Sequence, residues 1–114
     1  MNFSDYQKLA MKTDVFGGKK VPLASGAFMA QILGLMGETG EIAEKFKKIY
    51  RDQNGEITPE QVQDMKKELG DVLWYIASVS SYLGIKMEDV ATHNIEKLAS
   101  RQKRGKLSGS GDNR

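Results

Sequence analysis

The sequence predicts an all-α protein, a bundle of about four helices. Three observations carry that expectation. Apolar residues recur at helical spacing through four segments. Capping residues and helix breakers punctuate the chain between those segments. Alternating apolar and polar runs joined by hairpin turns, the mark of paired strands, are absent.

The first helix is expected from about Asp5 to Asp14, with Ser4 and Gln7 in capping-box spacing at its start. Gly17, Gly18, Lys19, Lys20 and Pro22 then break the helical pattern and form a loop. The second helix starts near Ser25 and runs to about Arg51, where Asp52-Gln53-Asn54-Gly55 stops it. Thr58 followed by Pro59 opens the third, because Thr caps well and Pro suits the first helical position. That helix should run to Leu83, with Gly84 ending it. The fourth spans about Met87 to Lys103. Residues 1–104 thus read as one helical domain, and 105–114 as a basic tail rich in Gly and Ser.

Composition narrows the function classes. The chain has 114 residues, 39% apolar and 28% charged, which fits one globular domain rather than a disordered segment. It has no Cys, which excludes disulfides, thiolate zinc sites and Cys nucleophiles. Its single histidine, His93, cannot build a His-rich metal centre. The N-terminal residues lack a signal-peptide pattern, and the uncharged run Val72 to Ile85 is too short to span a bilayer, so a soluble, cytoplasmic protein is expected. The net charge is +2, unevenly spread. From His93 onward six cations face two acids, so that end carries +4 and the other 92 residues carry −2. A basic end on a mildly acidic body suits an anionic partner.

The acids are patterned too. Glu38 and Glu41 stand one turn apart on the second helix, and Glu68 and Asp71 stand one turn apart on the third. On helical wheels each pair borders one flank of an apolar stripe: Phe28, Ile32, Leu35, Ile42 and Phe46 on one helix, and Met65, Leu69, Val72, Ile76 and Leu83 on the other. Packing the two stripes together brings the flanks within reach of each other. Four converging carboxylates repel unless a cation compensates, and hard oxygen ligands select Mg²⁺ or Mn²⁺, with Ca²⁺ a third option. The plainer reading is two solvated helix edges. Gly34, Gly37, Gly40 and Gly70 weigh against it. Each costs about 1 kcal/mol relative to Ala inside a helix, so either close packing or open space beside the acids must explain them.

These residues resemble a known family. The segments Leu33-Gly34-Leu35-Met36-Gly37-Glu38-Thr39-Gly40-Glu41-Ile42-Ala43-Glu44, Lys67-Glu68-Leu69-Gly70-Asp71-Val72-Leu73-Trp74-Tyr75 and Asn94-Ile95-Glu96-Lys97-Leu98 are similar to the MazG-like nucleotide pyrophosphohydrolases. These belong to the all-α NTP pyrophosphohydrolase superfamily. The resemblance covers about residues 3 to 101. It implies Mg²⁺ held by Glu38, Glu41, Glu68 and Asp71, with hydrolysis of a nucleoside triphosphate to the monophosphate and pyrophosphate. It also implies a homodimer or a dimer-based tetramer. Asn94 and Lys97 match a last-helix element that resembles a phosphate contact, and Glu44 matches an acid one turn beyond the first pair.

Chemistry assigns further roles. A metal-binding carboxylate that also orients water can serve as general base, which points to Glu38 or Glu41. Lys97 and Arg101, one turn apart, either stabilise a pyrophosphate leaving group or form a solvated basic helix end. Tyr75 sits on the acid flank and either stacks a base or packs in the core. Trp74 lies on the opposite side of a helix that is uncharged all round, so it is expected at a subunit interface. His93 either touches substrate or is a plain surface residue. The tail either wraps a phosphate, with Arg104 or Arg114 adding charge, or is loose.

Other readings compete. A phosphoribosyl-ATP pyrophosphohydrolase would use the same fold and acids. A non-catalytic helical interaction module would keep the metal only as a structural clip. Nucleic-acid binding is disfavoured, because no recognition-helix pattern is present and acids cluster where contacts would be needed.

Overall fold

The computed structural model describes residues 1–114. It contains four helices and no strand: α1 (Phe3–Met11), α2 (Gly26–Gln53), α3 (Pro59–Tyr82) and α4 (Met87–Lys103). The all-α expectation holds. No helix is long and apolar enough to cross a membrane.

Local chemistry sets the helix ends. Ser25 Oγ accepts from the Phe28 amide at 3.2 Å and caps α2. Asn54 closes that helix in the left-handed region at φ 53°, a conformation Asn tolerates better than most side chains. Thr58 and Gln61 form a reciprocal capping box on α3, with Pro59 in the first turn. Gln61 also exchanges amide hydrogen bonds with Gln53, at 2.8 and 3.0 Å, across the α2–α3 turn. The two long helices are therefore clamped as an antiparallel hairpin at that end.

The start of α1 differs from expectation. Asn2 is the cap, accepting from the Asp5 amide at 2.8 Å, and the helix ends at Met11 rather than Asp14. Gln7 is no capping partner of Ser4. Its amide donates to Ser81 Oγ and the Ile85 carbonyl, and its oxygen accepts from the Met87 amide. Gln7 thereby ties α1 to the turn between α3 and α4, a long-range role that outweighs the local one.

Trp74 also departs from the reading made of it. Its indole N–H donates to Thr13 Oγ1 at 2.8 Å and to the Ala10 carbonyl at 3.2 Å. The ring packs against the small core of Ala10, Met11, Ala77 and Met87. The uncharged side of α3 is thus covered by α1 of the same chain, and no second subunit is needed there.

Asp14 closes the α1–α2 loop over this core. Its carboxylate accepts from the Tyr82 hydroxyl at 2.9 and 3.0 Å and from the Gly18 amide at 2.7 Å. Tyr82 is fully buried. Burial, followed by the hydrogen bond and charge of Asp14, pushes its hydroxyl up to about 12. The unfolded phenol therefore ionises first as pH rises. The Tyr82 contribution to stability is intact below about pH 10 and is lost as pH climbs toward 12. Tyr82→Phe leaves a buried carboxylate short of its donor, which should cost about 1–3 kcal/mol. Thermal melts should show a lower midpoint for the variant. An unchanged midpoint would mean that the Asp14–Tyr82 contact stabilises nothing.

The subunit is open. α2 packs on α3 alone, while α4 packs on α1 and α3 and makes no close approach to α2. Only 12 of 114 residues are buried, too few for a self-sufficient core. The radius of gyration is 16.9 Å, against about 13 Å for a compact domain of this length. A second apolar row on α2, Met29, Leu33 and Met36, is 52%, 62% and 66% exposed. Its spacing of four and then three residues makes it one continuous face. The tail is not loose: it folds back on the end of α4.

Candidate metal centre

The helical hairpin sets the register that builds the site. Ser78 Oγ on α3 donates to Gln31 Oε1 on α2 at 2.7 Å, both side chains buried. One turn on, Gly34 sits against the ring of Tyr75. A Cβ at Gly34 would fall 2.2 Å from that ring, so the close approach of the two helices depends on glycine there. Continuing at the same register, antiparallel helices place Glu38 opposite Asp71 and Glu41 opposite Glu68. A further turn along, Lys45 Nζ meets Glu68 Oε1 at 2.6 Å.

Glu38, Glu41 and Glu68 each offer a carboxylate oxygen, and these oxygens all lie within 4.8 Å of one another. Asp71 stands outside that trio but faces it. Glu38 is held above the usual carboxylate range, first by desolvation and then by the charges of Glu41, Asp71 and Glu68. Asp71 also raises the Tyr6 hydroxyl, after the larger effect of burial, which places Tyr6 of α1 at the same edge. Glu68 is the most enclosed of the ion-paired acids, its side chain 14% exposed beneath Lys45. The expected four-acid set is thus brought together midway along the hairpin, three of its members in mutual ligand range.

The donor set fits a hard divalent cation. Opposite ligands of Mg²⁺ stand about 4.2 Å apart and those of Ca²⁺ about 5 Å, so oxygens within 4.8 Å need only side-chain adjustment to close on one ion. Glu38, Glu41 and Asp71 accept no side-chain hydrogen bond, so their oxygens are free for ligation; only Glu68 is engaged, by Lys45. Gly37, Gly40 and Gly70 have open space where a Cβ would lie. They have no packing reason within the chain, unlike Gly34.

The same repulsion predicts a stability effect. Because Glu38 binds its proton more tightly folded than unfolded, metal-free stability falls as pH rises from the ordinary carboxylate range through the raised value. Glu38→Gln should therefore melt higher than wild type in EDTA near pH 7, with the gap closing at low pH. A lower midpoint for the variant would show that Glu38 is not under repulsion.

The remaining expected residues are not gathered here. Asn94 lines an apolar groove of about 410 Å³ with Phe3, Leu73, Ile76 and Val90. Lys97 is half-buried on the same helix. Arg101 is buried beneath the tail rather than solvated, with 5% exposed. All three belong to α4, which does not reach α2 within one chain. Tyr75 is half-buried, edge-on to Trp74 at 5.0 Å and spread over Gly34. Lys45 and Tyr6 were missed by sequence reasoning. Lys45 had a visible signal, standing one turn beyond Glu41 on the acid flank; Tyr6 had none, because its place depends on how α1 crosses α3.

Comparison with known proteins decides what this arrangement belongs to. Residues 28–105 match the model of the MazG nucleotide pyrophosphohydrolase domain, a span that includes both acid pairs and α4. The chain is a member of the MazG family. It is similar to the Gene 37 protein of Mycobacterium phage L5, with 42% identity over 114 residues and all of both chains covered. It is also similar to the uncharacterized protein YvdC of Bacillus subtilis (strain 168), with 38% identity over 72 residues, 59% of this chain and 68% of the relative. No solved structure matches the chain. The MazG assignment makes the protein one of a family of nucleotide pyrophosphohydrolases, hydrolases of phosphoanhydride bonds that generally depend on a divalent metal.

Proposed function

We propose that the protein is a Mg²⁺-dependent nucleoside triphosphate pyrophosphohydrolase that converts a (d)NTP and water to the (d)NMP and pyrophosphate, with Mn²⁺ able to replace Mg²⁺. One observation carries the reading: three carboxylate oxygens from two helices in mutual ligand range, with a fourth acid facing them. When bound, the divalent ion supplies charge neutralisation for the polyphosphate. The residues of the chain do the rest. Glu38, Glu41 and Glu68, with Asp71 beside them, would hold the ion, and Lys45 screens Glu68. Glu38 or Glu41 would orient the attacking water and take its proton as general base. The bridge between the α and β phosphoryl groups then breaks, and pyrophosphate leaves. Tyr75 lies two turns from Glu68 on α3 and is the candidate for base contact.

The working unit we propose is at least a homodimer. The subunit exposes 8224 Å², whereas a compact monomer of this mass exposes about 6,200 Å². The excess, about 2,000 Å² per chain, is the scale of an obligate subunit interface. The Met29–Leu33–Met36 face and the apolar groove on α3 and α4 are the surfaces it would cover. Such an assembly is also how Asn94 and Lys97 would reach phosphates held at the acids of a second copy.

The test is a screen of ordinary and modified nucleoside triphosphates, with phosphoribosyl-ATP included, read out as pyrophosphate. At least one should be turned over with Mg²⁺ and none in EDTA. If Mg²⁺ only raises the melting temperature and nothing is hydrolysed, the metal is a structural clip and the enzyme reading fails.

A further inference from the structure

We propose that residues 101–114 form a phosphate-binding cap that works without a divalent ion. The carrying observation is Arg101. Its side chain is 95% buried, yet no carboxylate lies within ion-pair distance of it. Its Nη2 donates to the Asp112 carbonyl at 2.6 Å, and its Nε is buried with no partner at all. Arginine cannot shed its proton to escape burial. A buried cation without a counter-anion is unfavourable. Such a group makes sense where an anion completes it.

The tail supplies the rest of the receptor. Gly105, at φ 66°, turns the chain back over α4. Arg104 donates to the Arg114 carbonyl, and the Arg114 guanidinium donates to the carbonyls of Lys106, Leu107 and Gly111. With Asp112, five tail carbonyls are thus turned toward guanidinium groups. The backbone N–H groups of residues 107–113 make no hydrogen bond within the chain. Acceptors point in and donors are left over. Gly109 and Gly111 hold φ of 109° and 89°, values that side chains rarely adopt, so the loop shape is specific to this glycine pattern. Five cations, Arg101, Lys103, Arg104, Lys106 and Arg114, stand against one acidic side chain, Asp112, which makes no ion pair. Unpaired backbone N–H groups in a tail that also covers a buried guanidinium match a ligand that only accepts and offers several oxygens, a phosphate or pyrophosphate group.

The choice of ligand rests on the nucleotide reading above, and the cap would take the phosphate end of that substrate or its pyrophosphate product. Arg101 pairs with none of the four acids, and α4 does not approach the helix that carries Glu38 and Glu41. Binding is therefore measurable in the absence of metal.

The experiment is calorimetric titration of the full chain with inorganic pyrophosphate in EDTA, for wild type, Arg101→Met and Glu41→Gln, alongside melts without ligand. Wild type and Glu41→Gln should bind, and Arg101→Met should bind at least tenfold more weakly while melting no lower than wild type. No binding by wild type, or equal binding by Arg101→Met, overturns the cap. If Arg101→Met does not fold, Arg114→Met is titrated instead: weaker binding supports the cap and unchanged binding overturns it. Nucleotide turnover combined with binding indifferent to Arg101 would remove the cap and spare the hydrolase. Arg101-dependent binding in a protein that turns over no nucleotide would do the reverse.

Discussion

Glu41→Gln and Asp71→Asn should each lower pyrophosphate release by at least about 100-fold, since loss of even an outer partner of a metal costs 10–100-fold. Both substitutions keep side-chain volume and remove one negative charge. Glu41 is exposed and accepts no hydrogen bond, so its loss should leave the fold intact. Asp71 lies outside the trio in ligand range but faces Glu38, so its variant tests whether the fourth acid joins the site. Steady-state rates at several Mg²⁺ concentrations separate the causes. A variant that recovers at high Mg²⁺ has lost metal affinity, and one that stays slow has lost the chemical step. Full activity in both variants would place the chemistry elsewhere.

Leu33→Asp should break the assembly. Leu33 sits mid-row between Met29 and Met36 on a face of α2 that nothing in the chain covers. Facing solvent, an Asp there costs the isolated subunit little. In an apolar interface it would be a desolvated, unpaired charge, which the complex tolerates poorly. Sedimentation should report at least twice the 12.7 kDa chain mass for wild type and a single chain for the variant. The wild-type melting temperature should also rise with protein concentration, as for any native state stabilised by association. A wild-type mass of one chain at micromolar concentration would contradict the dimer.

The local parts of the fold were legible in the sequence. Ser25, Thr58-Pro59 and Asn54-Gly55 act through neighbours a few residues away, so their roles could be read in order. The meeting of Glu38, Glu41 and Glu68 follows from stripes flanked alike on the two helices, although Phe46 and Leu69 of those stripes stay exposed. What escaped depends on distant partners. Ser4 and Gln7 have the spacing of a capping box, but Gln7 spends its amide on Ser81 and Ile85, more than 70 residues away. Trp74 looked like an interface residue only because the position of α1 over it was invisible. The second apolar row on α2 had its own periodic signal, masked by the stronger first stripe. Arg101 read as either a phosphate contact or a solvated basic helix end, since no sequence pattern shows a tail folding back to bury a charge.

The central claim is that the acid cluster midway along the α2–α3 hairpin is a divalent-cation centre. Crystals soaked in Mn²⁺, with data collected to give the anomalous signal of manganese, test it most directly. The account predicts a strong peak bounded by oxygens of Glu38, Glu41 and Glu68, with Asp71 in or next to the coordination sphere. No peak there, or a peak only at unrelated surface acids, would contradict it.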